Sequence, residues 1–458
     1  MKKVILFLYC GLFALSSFAT TPPKRLHTFP LQALLKQTLT THSPSYPATP
    51  NHYTVLDDHH YHETVTNSRA KVTHILSVLN RKPATDANAK LALIASQLID
   101  IPYLHQNGMG EGDWQPKSMV YLPNAIHLKQ HPVYRLDGLN CQTLVQVAMA
   151  FYLSNRLSSF DQHYLKIAYG AAHNPLGEIV HYYNRNHFID ADFNPVNQKH
   201  GWLSDVTTAS PYARKIHANV TRQQWFLRQR YHLTDNIQVL KDSSGPLMLN
   251  RFKTIYTALP FPHFDHEDIT ISYLPKEILA LRQEDDTFKP NQPLLNKIPT
   301  PAIVEIIRDP EIWNDYGIKI KNILGTEETV SHLGLLYRQT FKRGALIYQK
   351  IACNVDNTRK KNCEVTPIFC QKKICKELMF THATNAYPKK YYWYLSSEGK
   401  YVCSSHLPES GTAYTSCNRV VSLPFYDYLT DYQLGYYWNM DVTSILGVHV
   451  EKLNSKMT

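Results

Sequence analysis

The sequence predicts an α+β fold, with helices first and a mostly antiparallel sheet after them. Apolar residues recur at helical spacing through the first third of the chain, and short β-branched and aromatic runs bounded by turn residues fill much of the remainder. Six cysteines crowded between Cys353 and Cys417 add a disulfide-rich insertion at about 350–420.

In chain order, Met1-Lys2-Lys3 supplies positive charge, residues 4–16 form a short apolar run, and Ser17-Phe18-Ala19 places small residues where a signal peptidase reads. Residues 1–19 are therefore expected to leave as a signal peptide, and the mature protein to be exported, either periplasmic or secreted. No later run reaches the roughly 18 apolar residues of a membrane span. Residues 20–52 read as a loosely ordered leader with one short amphipathic helix at 31–39, and residues 53–458 as one domain. Helices are predicted at 65–79 and at 86–99, the second capped by Asp86. Asp100-Ile101-Pro102-Tyr103 ends that helix, a polar glycine-bearing loop follows at 106–114, and Leu136-Asp137-Gly138-Leu139-Asn140 leads into Cys141. From Gln142 onward Leu144, Val145, Val147, Ala148, Phe151 and Tyr152 share one helical face. Strands are predicted at 186–193, 303–307, 333–337, 346–352, 378–382 and 446–450. Residues 208–300 read as an elaboration without an assignable function.

With 458 residues, 43% hydrophobic and 19% charged, the chain can bury a large core, which excludes disorder, collagen and coiled coil. Its net charge of +11, or +9 without Lys2 and Lys3, favours an acidic polymer or an anionic surface as partner. Once Cys10 leaves with the signal, Cys353, Cys363, Cys370, Cys375, Cys403 and Cys417 form an even cluster that reads as a disulfide framework. Fifteen pairings are open to them. Zinc is the competing reading, but the spacing lacks two CxxC knuckles. The acidic-histidine clusters at 57–63 and 263–268 lack the His-Glu-x-x-His spacing of a zinc hydrolase. No metal and no organic cofactor is expected, and there is no G-x-S-x-G elbow or phosphate-binding glycine loop.

Cys141 stands apart from every other cysteine, at a helix start. Unpaired backbone N–H groups and the positive dipole end there favour the thiolate, and the same groups can hold an oxyanion. A buried, inert core cysteine is the bland alternative. A nucleophilic cysteine needs a base. His332 opens the apolar run Ser331-His332-Leu333-Gly334-Leu335, and His382 closes the run Leu378-Met379-Phe380-Thr381-His382, so two strands could deliver a Cys-His-His relay. His187 is the rival base. In an extended Arg185–Phe193 segment, alternation sets His187, Ile189 and Ala191 on one face and Asp190 and Asp192 on the other, which argues against a direct His187–Asp190 pair.

Taken in order, Asn140-Cys141-Gln142-Thr143-Leu144-Val145, the Ser-His-Leu-Gly-Leu run at His332 and the His-Ala-Thr segment at His382 resemble the NlpC-type papain-like cell-wall hydrolases. Ile101-Pro102-Tyr103 with Gly110-Glu111-Gly112, Arg185-Asn186-His187-Phe188 with Asp192-Phe193, and the closing Gly447-Val448-His449-Val450 look like the N-acetylmuramoyl-L-alanine amidase-like branch. The resemblance spans most of the mature chain and implies a papain-like core of N-terminal helices packed on an antiparallel sheet. It implies a cysteine hydrolase with Cys141 as nucleophile, His332 as base and His382 as the residue orienting it. Tyr103, Glu111, Arg185, His187 and Asp192 then fall to the substrate cleft or its scaffold. The implied partner is peptidoglycan or a muropeptide, not nucleic acid, and the implied bond joins the lactyl group of N-acetylmuramic acid to L-alanine. A γ-D-glutamyl endopeptidase is the nearest alternative. Two positions depart from the pattern, Asn140 where aspartate is usual and Gln142 where a small residue is usual, and they leave room for an inactive binding protein on the same fold. The 50-residue spacing from His332 to His382 exceeds a short hairpin and encloses four cysteines. It therefore reads as a stapled insertion between two catalytic strands, with Cys403 and Cys417 stapling the following loop.

Overall fold

The computed structural model describes residues 53–55, 59–82, 84–103, 118–122, 126–130, 134–169, 185–222, 224–225, 266–285, 287–311, 321, 325–355, 361–384, 392–397, 399, 401–404, 414–430 and 445–454. The signal and leader expected at 1–52, the loop that carries Glu111 and the cluster start at His263 lie outside the described residues.

The chain is a mixed α/β protein. Four helices precede the main sheet: α1 (His59–Arg81), α2 (Ala87–Leu98), α3 (Cys141–Leu153) and α4 (Leu157–Ala168), with a small sheet of β1 (Tyr53–Val55), β2 (Ser118–Leu122) and β3 (Ile126–Gln130) among them. Asp86 caps α2 as expected, its carboxylate accepting the Ala89 N–H at 2.8 Å. Helix α4 had no counterpart in the sequence reading. Arg69 of α1 reaches Asp161 of α4 at 2.8 Å, and Tyr134 donates to the other carboxylate oxygen at 2.7 Å, tying the helices into one layer.

The strand expected at 186–193 does not form. Ile189–Phe193 is a single π-helical turn, closed by Phe193 N–H to Phe188 O at 2.9 Å, and it runs directly into α5 (Asn194–Lys199). Pro195 explains this locally, since a proline lacking its N–H fits the first turn of a helix and would interrupt a strand ladder. The face assignment that alternation gave to His187, Asp190 and Asp192 lapses with the strand.

The main sheet has eight strands. The path runs β17 (Val420–Pro424), β13 (Ile374–Ala383), β10 (Val330–Lys342), β9 (Ala302–Arg308), β18 (Ile445–Leu453), β6 (Glu267–Pro275) and β5 (Arg214–Val220), with β4 (Leu203–Asp205) also on β18. All of its pairings are antiparallel. Its two faces bury different cores. Ile303 and Ile307 of β9 and Leu333, Leu335 and Tyr337 of β10 meet α1 to α4 on one face. Ala302, Val304 and Ile306 of β9, with Leu336 and Phe380, meet the opposite core, roofed by α6 (Phe425–Thr430) through Phe425, Tyr428 and Leu429.

Part of a second sheet lies in the 50-residue gap between His332 and His382, and its last three strands follow His382. It is built from β11 (Leu346–Val355), β12 (Lys361–Phe369), β14 (Tyr392–Leu395), β15 (Tyr401–Ser404) and β16 (Tyr414–Ser416). A short ribbon of β7 (Ala280–Arg282) and β8 (Phe288–Pro290) completes the described strands. Two disulfides are present among the described residues, Cys370–Cys375 and Cys403–Cys417, so the expected staple over the later loop is there. Cys353 and Cys363 are backbone partners across β11 and β12. No helix among the described residues is long and apolar enough to cross a membrane.

Candidate active site

Cys141 is the first residue of α3 and is 3% exposed. Asn140 builds the helix start. Its side-chain oxygen accepts the Thr143 N–H at 2.8 Å, and the Thr143 hydroxyl accepts the Asn140 N–H at 2.9 Å, a reciprocal capping box. Asparagine caps as well as aspartate does, so this departure from the family pattern keeps the local geometry. The other departure has its own task. The Gln142 amide donates to the Asn186 carbonyl at 2.6 Å and ties α3 to the segment carrying His187, which a small residue could not do.

His332 and His382 meet, with His332 Nε2 2.9 Å from His382 Nδ1 and the rings edge-on. Both are fully buried. Burial, followed by the neighbouring His382 and the Arg308 charge, holds His332 well below the ordinary histidine range. Burial takes His382 down to about 3. Both rings are therefore neutral, and one ring donates while the other accepts. His382 also stacks on Phe380 and packs edge-on against Tyr428.

The register fixes which way these rings point. His332 pairs with Ile306, so it shares the face of Phe380 and Tyr428, while Leu333 and Leu335 face α3. The histidine pair and the body of α3 therefore lie on opposite faces of the sheet. They share one end of it. Tyr103 bridges Leu139, two residues before Cys141, and donates its N–H to the Asn418 carbonyl at 2.8 Å; Thr384, two residues past His382, donates to the Arg419 carbonyl at 2.9 Å. The β10–β13 ladder begins only at Leu335 and Thr381, leaving His332 beyond its last pair.

The remaining predicted residues divide between site and scaffold. Tyr103 is buried beside the α3 start. His187 is buried and packs on Trp225 with ring centroids 4.8 Å apart. Arg185 is a structural hub, donating to the Tyr169 hydroxyl at 2.8 Å, the Gln146 side chain at 3.0 Å and the Tyr164 hydroxyl at 3.1 Å. Asp192 accepts the Phe188 N–H at 3.1 Å and pairs with Arg222 at 2.6 Å. Glu111 lies outside the described residues. Among the described residues no cluster of three or more histidine, cysteine or acidic side chains could hold a metal.

Sequence reasoning missed a buried polar group beneath the π-turn. Glu305 accepts from the Asn194 amide at 3.1 Å. His449 contacts the Ser272 carbonyl at 2.8 Å through Nδ1 and Glu451 at 2.9 Å through Nε2. Burial raises Glu305 to about 8 despite the His449 charge. Burial alone would lower His449, but its bond to Glu451 and the Glu305 charge lift it to about 9. Inward-facing Glu305 and Glu451 within apolar β9 and β18 were the available signal.

The fold is similar to that of a Legionella pneumophila str. Philadelphia 1 protein known from a crystal structure and assigned to the DUF1460 family model, with a TM-score of 0.51 and 20% identity over 86% of this chain and 96% of that one. No curated protein matches the chain. The model of an N-acetylmuramoyl-L-alanine amidase-like family, AmiA-like, matches residues 116–359, a span that includes Cys141, His187 and His332 and stops short of His382. With more than half of its length matched, the chain belongs to the AmiA-like, N-acetylmuramoyl-L-alanine amidase-like family.

Proposed function

We propose that the chain is an exported cysteine amidohydrolase on a papain-like core, and that it opens the amide between N-acetylmuramic acid and L-alanine in peptidoglycan or its fragments. The observation that carries this is Cys141 as the first residue of a capped, buried helix, inside the family match and at the sheet end that holds the His332–His382 pair. The two disulfides support an oxidising compartment.

In this reading the thiolate of Cys141 attacks the lactyl carbonyl, and the α3 N-terminal N–H groups hold the developing oxyanion. His332 takes the thiol proton and delivers it to the leaving L-alanine nitrogen, so the C–N bond breaks and a thioester forms. Water, deprotonated by the same histidine, then splits the thioester and restores the thiol. His382 fixes the His332 ring through the 2.9 Å contact. A thiolate beside His332 offsets the burial that holds its proton affinity down.

A second assignment gives the base to His187. The Gln142–Asn186 bond supports it, because it places residues adjacent to Cys141 and His187 in direct contact on the α3 side of the sheet. Defined muropeptides with mass-spectrometric product analysis test the function. Free stem peptides beginning at L-alanine, absent with Cys141→Ser, are expected; dipeptide-bearing sugars would assign an endopeptidase, and intact muropeptides would reject hydrolysis.

A further inference from the structure

The β10–β11 turn and the β12–β13 turn form one rigid tip at the far end of the β10–β13 ladder. Arg343 N–H donates to Lys373 O at 3.2 Å, Gly344 N–H to Cys370 O at 2.9 Å and Cys370 N–H to Ala345 O at 2.9 Å. The Cys370–Cys375 disulfide closes the second turn. Leu346 (44% exposed), Phe369 (43%) and Ile374 (51%) stand on this tip, half of the large hydrophobic side chains that are exposed among the described residues. Leu346 and Phe369 are cross-strand partners and so share a face. Lys342, Arg343, Lys372, Lys373 and Lys376 surround them, all exposed. Among the described side chains of residues 341–350 and 365–377 the one carboxylate is Glu377, and it is half-buried.

We propose that this tip docks on an anionic phospholipid bilayer, with Leu346, Phe369 and Ile374 entering the headgroup boundary and the cations meeting lipid phosphates. Apolar side chains rimmed by cations on a rigid support suit that interface, where burial and charge attraction act together. A carboxylate-bearing glycan would engage the cations and leave the apolar trio in water, so lipid accounts for more of the surface. The proposal is independent of any catalytic assignment.

Sedimentation of the full-length chain with phosphatidylglycerol-containing vesicles, pure phosphatidylcholine vesicles and purified sacculi tests it. All variants share the apolar run at 4–16, so ratios between them report the tip alone. Ile374→Asp is expected to weaken binding to the anionic vesicles roughly ten-fold or more. Lys372→Glu with Lys373→Glu should weaken it by at least about 25-fold, near five-fold for each cation removed. Ile374→Trp should show blue-shifted emission on those vesicles and not on phosphatidylcholine. All three positions are exposed, and an unchanged near-ultraviolet circular dichroism spectrum verifies the fold. Equal binding to both vesicle types, full retention by Ile374→Asp, or binding confined to sacculi would each overturn the proposal.

Discussion

At the scale of single residues, Cys141 and its neighbours give the sharpest expectations. Cys141→Ser should lower muropeptide hydrolysis by about 10⁴-fold or more with melting temperature nearly unchanged. His332→Ala and His187→Ala separate the two bases. The true base should cost about 10²- to 10⁴-fold in kcat, and the other should act mainly on KM or on stability. Asn140→Ala should cost about 1 kcal/mol of stability, while Asn140→Asp should leave it unchanged, as read by thermal unfolding. The helix start at Cys141 and the two strand histidines were legible because each depends on local grammar: the onset of an apolar helix, and a histidine at a strand end. Arg185 and Asp192 were not. The resemblance left them to the substrate cleft or its scaffold; both are held in buried hydrogen bonds, and a buried cation with three polar partners cannot be told from an exposed one by composition.

At the scale of elements, close backbone approach sets the tolerances. A Cβ on Gly334 would stand 2.6 Å from both the Phe380 ring and the Thr381 carbonyl, and one on Gly447 would fall on the Leu274 carbonyl. Gly447→Ala should therefore destabilise by about 3 kcal/mol, more than Gly334→Ala, whose backbone approach is less close; denaturant melts would rank them. Most long strands and helices were readable from apolar period, but the 186–193 segment was not. Its alternation of apolar and acidic residues is strand-like, and Pro195 in the following turn overrides it. Helix α4 escaped because its buried positions Phe160, Tyr164, Ile167 and Ala168 are diluted by Ser and His.

For the whole molecule, the buried charges fix how stability depends on pH. Between pH 4.5 and about 8 the folded chain keeps a proton on Glu305 that the unfolded chain releases, and between 6.5 and about 9 it keeps one on His449. The native state binds more protons in both windows, so stability falls as pH rises through them. His382, neutral down to about 3 when folded, acts in the other direction, because the unfolded chain takes up a proton below 6.5 and stability falls as pH drops. Glu305→Gln should flatten the decline in melting temperature between about pH 4.5 and 8, and His382→Phe should flatten the acid decline. Slopes equal to wild type would mean that neither group titrates as described. The sequence offered only acidic residues within apolar strands as a hint, because Glu305 and His449 lie 144 positions apart and meet only as partners across β9 and β18.

The β10–β13 ladder is also a ruler. It runs without a break from Leu335 opposite Thr381 to Lys342 opposite Ile374, and His332 lies three residues before its start. Ten residues at about 3.4 Å each separate that histidine from the basic tip by roughly 34 Å, a standoff set by covalent geometry alone. The ruler also has a parity. Adding two residues to each strand would lengthen the standoff by about 7 Å and leave every side chain on its own face, whereas adding one to each would turn the histidine pair to the opposite core.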